Sequence, residues 1–283
     1  MKARLKAQAL WRRPILWLAV LTVTAVVLCF LPLFDVLGYE WSLVLALLGS
    51  LGSGLVAAAY PQRVRDQLAP FPGARWTVAR LYLVVATLGV ASLVPPLAFI
   101  SLNALRVRNC DFLEGLAFFA LGPVSSVLVA SAWGLASGLL MPGRRSASVL
   151  WGVGWIVAVA LQLYLVWATP SVRALGTIHG YFSGVLYDEA VSVPLSLVTL
   201  RARDLVVVAA VLVLCSAFVD RSRLRLSFNA ARRARRPVLA LAALLTVLAL
   251  TGVWLGSALG HRSTARDVAR ALGGRTAHGL SLI

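Results

Sequence analysis

The sequence predicts an all-α protein, a polytopic bundle of transmembrane helices, and three observations carry that prediction. Hydrophobic residues fill 60% of the 283 positions and charged residues 13%, against about 45–50% and about 25% in soluble domains. The mean hydropathy is +0.87. The formal net charge of +17 is gathered between apolar runs, which suits membrane topology and anionic headgroups rather than a nucleic-acid surface.

Seven apolar stretches reach or approach the roughly 20 residues that cross a hydrocarbon core as helix. They are 15–34, 41–59, 81–100, 115–140, 149–168, 205–219 and 238–259. The first is longer than the about 7–15 apolar residues of a signal peptide and lacks a small-residue cleavage site, so it reads as an uncleaved anchor. The second carries Gly49, Ser50, Gly52, Ser53 and Gly54 at its centre. Pro95–Pro96 in the third and Gly122–Pro123 in the fourth are natural kink points. Ala130, Gly134 and Gly138 in the fourth span, and Gly252, Gly256 and Gly260 in the last, recur every fourth residue. That spacing lets helix backbones approach closely in lipid. The sixth span is short unless residues before Asp204 extend it.

Orientation follows from Arg and Lys. With the N-terminus inside, 18 of the 27 basic residues fall in inside segments, including seven between Arg221 and Arg236. This places the N-terminus inside and the C-terminus outside, with the inside basic loops on anionic lipid. Trp11, Trp41, Trp76, Trp167, Tyr39, Tyr60 and Tyr164 lie near span ends, where amphipathic rings favour the headgroup layer. Residues 1–260 then form one transmembrane domain, with an extracytoplasmic loop and interfacial helix over 171–203, and 261–283 form an extracytoplasmic tail.

Deep polar groups are few. Gln162 is the clear one; Asp35, Glu40, Asp111, Glu114 and Asp204 lie near span ends, within reach of water. Polar chemistry concentrates instead in "GTIHGYFSGVLYDE", residues 176–189, where Gly176, Gly180 and Gly184 permit tight turns. Two readings stand side by side. His179 with Asp188 and Glu189 could hold a divalent metal or act as acid and base. Alternatively the segment is architectural: Asp188 caps a helix, or Ser192 caps one with Pro194 in its first turn. Tyr181 and Tyr187 would then sit in the interface, and Arg201 and Arg203 near headgroups. A second polar island, "LNALRVRNCDFLEGLAFF" at 102–119, offers Arg106, Arg108, Asp111 and Glu114. These could pair with one another or with the longer loop, as Arg108 with Asp188 or Asp111 with Arg173.

Catalytic signatures are absent: the chain has no HExxH, no GxSxG, no P-loop and no GxGxxG. Three cysteines make no disulfide framework or zinc cluster. Cys29 and Cys215 fall in apolar runs and read as small buried hydrophobes, while Cys110 sits at a membrane edge. No cofactor is implied. In the tail, Ser263 can cap a short helix stopped by Gly273–Gly274. The closing "HGLSLI" resembles the opening of an unpaired strand, which predicts a fragment, or descent from a longer chain with an outside domain.

The segments "NCDFLEGLAFF", "GYFSGVLYDEAVSV" and "ARDVARALGG" together resemble uncharacterised multi-pass membrane proteins of bacteria. Some of those continue into an extracytoplasmic gluzincin-like peptidase domain. The resemblance covers the last two-thirds of the chain at motif level and implies a bacterial cytoplasmic membrane location. The peptidase zinc motif is absent here, so no peptidase activity is implied. The expected function is a non-enzymatic anchor or scaffold for an extracytoplasmic protein partner or domain. A permease or transporter subunit is the alternative, and a membrane enzyme using the 176–189 loop is the second.

Overall fold

The structure, a computed structural model, describes residues 2–67, 78–107, 111–168, 174–182, 192–220, 224–227, 236–256, 259 and 261. Its elements in order are α1 (Lys2–Leu28), α2 (Tyr39–Gln67), α3 (Val78–Ala91), α4 (Val94–Asn103) and α5 (Phe112–Phe119), then α6 (Ser125–Leu140) and α7 (Arg144–Ala168). A short hairpin follows, β1 (Ala174–Gly176) and β2 (Gly180–Phe182), then α8 (Leu195–Phe218). A second small hairpin, β3 (Val219–Asp220) and β4 (Arg225–Leu226), precedes α9 (Arg236–Trp254). The protein is all-α apart from these two-stranded ribbons. Five helical segments are long and apolar enough to cross a membrane: 39–65, 78–103, 112–140, 144–167 and 236–254.

Burial is reversed relative to a water-soluble protein. Val149, Val153, Ile156, Val157 and Leu161 of α7 are exposed, as are Leu244, Val247, Leu248 and Leu250 of α9. Ser50, Ser53, Gln62, Arg63, Arg201 and Asp204 are buried. Outward apolar side chains over inward polar ones are what a hydrocarbon solvent selects.

The central contact is α2 against α6, the largest helix–helix interface. It rests on residues without side chains. A Cβ on Gly134 would lie 2.3 Å from the Gly54 carbonyl oxygen, and one on Gly138 would lie 2.5 Å from that of Ala58. Ala130 is buried beside Ala58 and Trp151. Elsewhere around α2 the glycines make room for rings: Gly52 lies against the indole of Trp17, and Gly54 also lies against that of Trp151. Gly252 of α9 lies against the aliphatic stem of Arg203, 2.9 Å from Cγ to a built Cβ, and Gly256 packs near His261. Gly260 lies outside the described residues.

The prolines break helices where expected. The third span divides into α3 and α4 at Ser92–Leu93, with Pro95 and Pro96 opening α4. The fourth passes from α5 to α6 through a π-helical turn, Ala120–Val124, which contains Gly122 and Pro123.

Several sequence-based expectations are corrected. The first helix begins earlier than residue 15 and ends at Leu28, leaving 29–38 irregular. The short sixth span, by contrast, is extended by residues before Asp204 as the sequence allowed: α8 reaches back to Leu195 and carries Arg201, Arg203 and Asp204 inside the helix. Ser192 does not cap α8; Pro194 occupies the N-cap position with no side-chain hydrogen bond. Trp41 and Tyr39 are not interfacial anchors. Trp41 is fully buried with Leu45 and Phe119, and Tyr39 packs edge-on to Phe118 and Tyr181. Trp167 and Tyr164 do project outward. Cys29 and Cys215 are buried free thiols; Cys110 and the Ser263 region lie outside the described residues.

The connections collect at two ends of the bundle. At one, Gln62 Nε2 donates to the carbonyls of Gly138 and Met141, and Arg65 Nε donates to that of Leu224. At the other, Asn103 donates to the Asp35 carbonyl, Arg106 to that of Cys29, and Val193 N–H to the Glu114 carboxylate. Three charged residues of the 102–119 island, Arg106, Asp111 and Glu114, are thus bonded to backbone groups. Asp111 accepts from Glu114 N–H as the N-cap of α5, and Arg106 also lies over the Phe30 ring. Arg108, Arg173 and Asp188, and with them the two expected ion pairs, lie outside the described residues.

Candidate functional site

The polar centre of this molecule is in α8, about two turns into the helix. Arg201 and Asp204 lie three residues apart on one face, and each is only 2% exposed. The expectation that water reaches Asp204 is therefore overturned. The reason is tertiary: the β1–β2 hairpin folds over this face.

Arg201 Nη1 donates to Asp204 Oδ2 at 3.1 Å and to the Thr177 carbonyl at 2.7 Å, and Nη2 donates to Ser126 Oγ at 3.2 Å. Arg203 Nη2 donates to Asp204 Oδ1 at 2.8 Å and to Thr177 Oγ1 at 3.2 Å. Two guanidiniums thus share one carboxylate, a cluster of net charge +1. Enclosed charges are costly unless paired and hydrogen-bonded. Here the hairpin loop and the first turn of α6 supply further acceptors, while Nε of Arg201 and of Arg203 is buried without a partner among the described residues.

The hairpin's own sequence explains its position. Gly176 pairs with Gly180 across a three-residue loop, Thr177–His179. Gly180 has φ +85°, and a Cβ there would meet Arg201 Nη2 at 3.1 Å and Gly122 Cα at 3.3 Å. It is glycine both for backbone conformation and for close approach to the π turn. Gly176 serves space alone: a Cβ would fall 2.3 Å from His179 Cε1 and 2.8 Å from Gln162 Oε1. That room is occupied by the hydrogen bond from His179 Nδ1 to Gln162 Oε1, 2.8 Å long. Tyr181 is buried against Phe118 and Tyr39 rather than interfacial.

Of the sequence-based candidates, the structure joins His179 to Gln162. Tyr187, Asp188 and Glu189 lie outside the described residues, as does Gly184. Among the described residues no three His, Cys, Asp or Glu side chains gather as a metal site. Sequence reasoning missed the Arg201–Asp204–Arg203 cluster. The available signal was the i,i+3 spacing within "LRARDLVVV", which continues directly into an apolar helix.

A second histidine, His261, closes the site from beyond the C-terminal end of α9. Thr199 Oγ1 donates to the Ser196 carbonyl and lies 3.0 Å from His261 Nε2, so His261 donates from Nε2. Its Nδ1 is buried without a partner among the described residues. Burial, and then the charge of Arg203, hold the His261 pKa below its ordinary 6.5, with Asp204 opposing. As pH falls through 6.5 the unfolded chain takes up this proton before the folded one does, so stability present above that pH is lost below it. Thermal unfolding in micelles should show a drop in Tm between pH 7 and pH 5 that His261→Gln reduces. An equal drop in both proteins would remove His261 from the effect.

No protein-family profile, no curated protein and no solved structure matches this chain.

Proposed function

We propose that the chain is an integral membrane scaffold that holds a structured outer segment in a fixed position for an extracytoplasmic partner. One observation carries this reading. The charges of α8 are directed to one another, to the hairpin and to α6, so they clamp the hairpin onto the bundle. A proton or ion pathway would instead need ionisable groups facing a watered cavity. In this reading the chain crosses a bacterial cytoplasmic membrane seven times, N-terminus inside, with its basic loops on anionic lipid. The crossings beyond the five long apolar helices are α1 and α8. The motif resemblance to bacterial membrane proteins with an outer domain agrees with it.

A permease reading has its own support in the α3–α4 break and the π turn, since broken helices line transporter cavities. Hydrogen exchange in sealed proteoliposomes separates the two. The scaffold predicts slow exchange at the hairpin amides, 174–182, unaltered by a proton or sodium gradient. Exchange that rises with the gradient would refute the scaffold and favour a gate. Reporter fusions at the two termini and near residue 142 test the topology: both termini on one side of the membrane would overturn it.

A further inference from the structure

A cleft of about 560 Å³ runs between α6 and α7, within the about 300–1,000 Å³ usual for ligand sites. Its lining follows α6 from Ser126 to Leu140, about 21 Å at 1.5 Å per residue. The polarity is graded along that length. At one end stand Ser126, Gln162 and the hairpin's Thr177; beyond them the walls are mainly apolar, with Trp133, Trp155 and Leu140, and the two further hydroxyls there, Ser50 and Ser137, donate to carbonyls of their own helices, those of Leu47 and Trp133. Trp133 and Leu140 are 46% and 55% exposed on the side of the bundle. The cleft therefore opens among the outward apolar side chains rather than at a water-facing end.

We infer that this cleft binds one chain of a membrane phospholipid with an anionic headgroup. The hydrocarbon chain lies along α6, and the phosphate sits at the Ser126–Thr177–Gln162 end. Two features select an anion there. Behind Ser126 and Thr177, the Arg201–Asp204–Arg203 cluster holds a net positive charge in surroundings that screen it poorly. Gln162 uses Oε1 on His179, which leaves its Nε2 amide as a donor with no protein partner among the described residues. Gly154 keeps the middle of the cleft open: it lines the space, and a Cβ built on it meets no atom within 4 Å.

That last fact supplies the test. Gly154→Leu adds a side chain to the cleft wall at a position where its Cβ meets no protein atom within 4 Å. Gly152→Leu is the control, since a Cβ there also meets nothing within 4 Å and the residue does not line the cleft. The full chain is placed in phosphatidylcholine vesicles containing phosphatidylglycerol with a photoactivatable acyl chain. Saturable labelling of α6 and α7 is expected, competed by unlabelled phosphatidylglycerol. Gly154→Leu should weaken it about tenfold, equivalent to about 1.4 kcal/mol, and Gly152→Leu should not. Labelling spread over all outward helices, or indifferent to Gly154→Leu, overturns the site. Equal competition by phosphatidylcholine overturns the anionic headgroup, and competition by inorganic phosphate overturns the lipid. None of these outcomes bears on whether the hairpin is fixed or gated.

Discussion

Asp204→Asn is expected to destabilise the folded chain by about 3–5 kcal/mol, the range for removing one partner of a buried ion pair. The substitution keeps the shape and removes the one carboxylate that, among the described residues, Arg201 and Arg203 share. Two guanidiniums would then share an enclosed site whose acceptors among the described residues are all neutral: the new amide oxygen, Thr177 and Ser126. The unfolding midpoint in a denaturing-detergent titration measures the loss. Replacing the whole cluster by apolar residues, Arg201→Met with Arg203→Met and Asp204→Leu, should recover most of it, because no unpaired charge is left. A wild-type midpoint for Asp204→Asn would mean that water solvates the cluster, and the clamp would fail as an explanation of the hairpin's position.

The second large effect is expected at the α2–α6 contact. Gly134→Val places a Cβ 2.3 Å from the Gly54 carbonyl oxygen and 2.8 Å from Gly54 Cα. Both neighbours are backbone, so no side chain can turn aside. The helices must separate, and overpacking of this kind costs about 1–3 kcal/mol. The loss should be larger than for Gly152→Val, where a Cβ meets open space. Equal midpoints for the two variants would show that close approach of α2 and α6 contributes nothing to stability. The contrast matters because both positions are glycines in apolar helices, and only the neighbour distinguishes them.

The two predictions rest on different kinds of legibility. The fourfold spacing of Ala130, Gly134 and Gly138 stood in the sequence, and so did the kinks at Pro95–Pro96 and Gly122–Pro123. Each follows from local chemistry: a missing Cβ, or a missing N–H and a ring that clashes with the preceding turn. The partner did not stand there. Nothing in the spacing says that Gly134 meets Gly54, or that Gly52 instead receives Trp17.

Polar residues were read less well, and for one reason. Sequence position relative to an apolar run was taken as depth, so Asp204 was placed at the water's edge and Tyr39, Trp41 and Tyr181 at the headgroups. Depth along the membrane normal and exposure are separate coordinates. A residue near the end of a helix is still enclosed when another segment covers it, and here the covering segment is a hairpin only nine residues long, 174–182. His179 was singled out correctly as chemically unusual, yet its neighbour is Gln162, seventeen positions back, rather than the carboxylates downstream that spacing suggested.

By itself the sequence determined the solvent and the units: apolar composition and run length require helices that present hydrocarbon outward, whatever their arrangement. Only the tertiary structure decided which polar groups are enclosed and what they bind. Enclosure depends on contacts between segments far apart in the chain, Ser126, Thr177, Arg201 and Gly252 among them, and no local pattern encodes those.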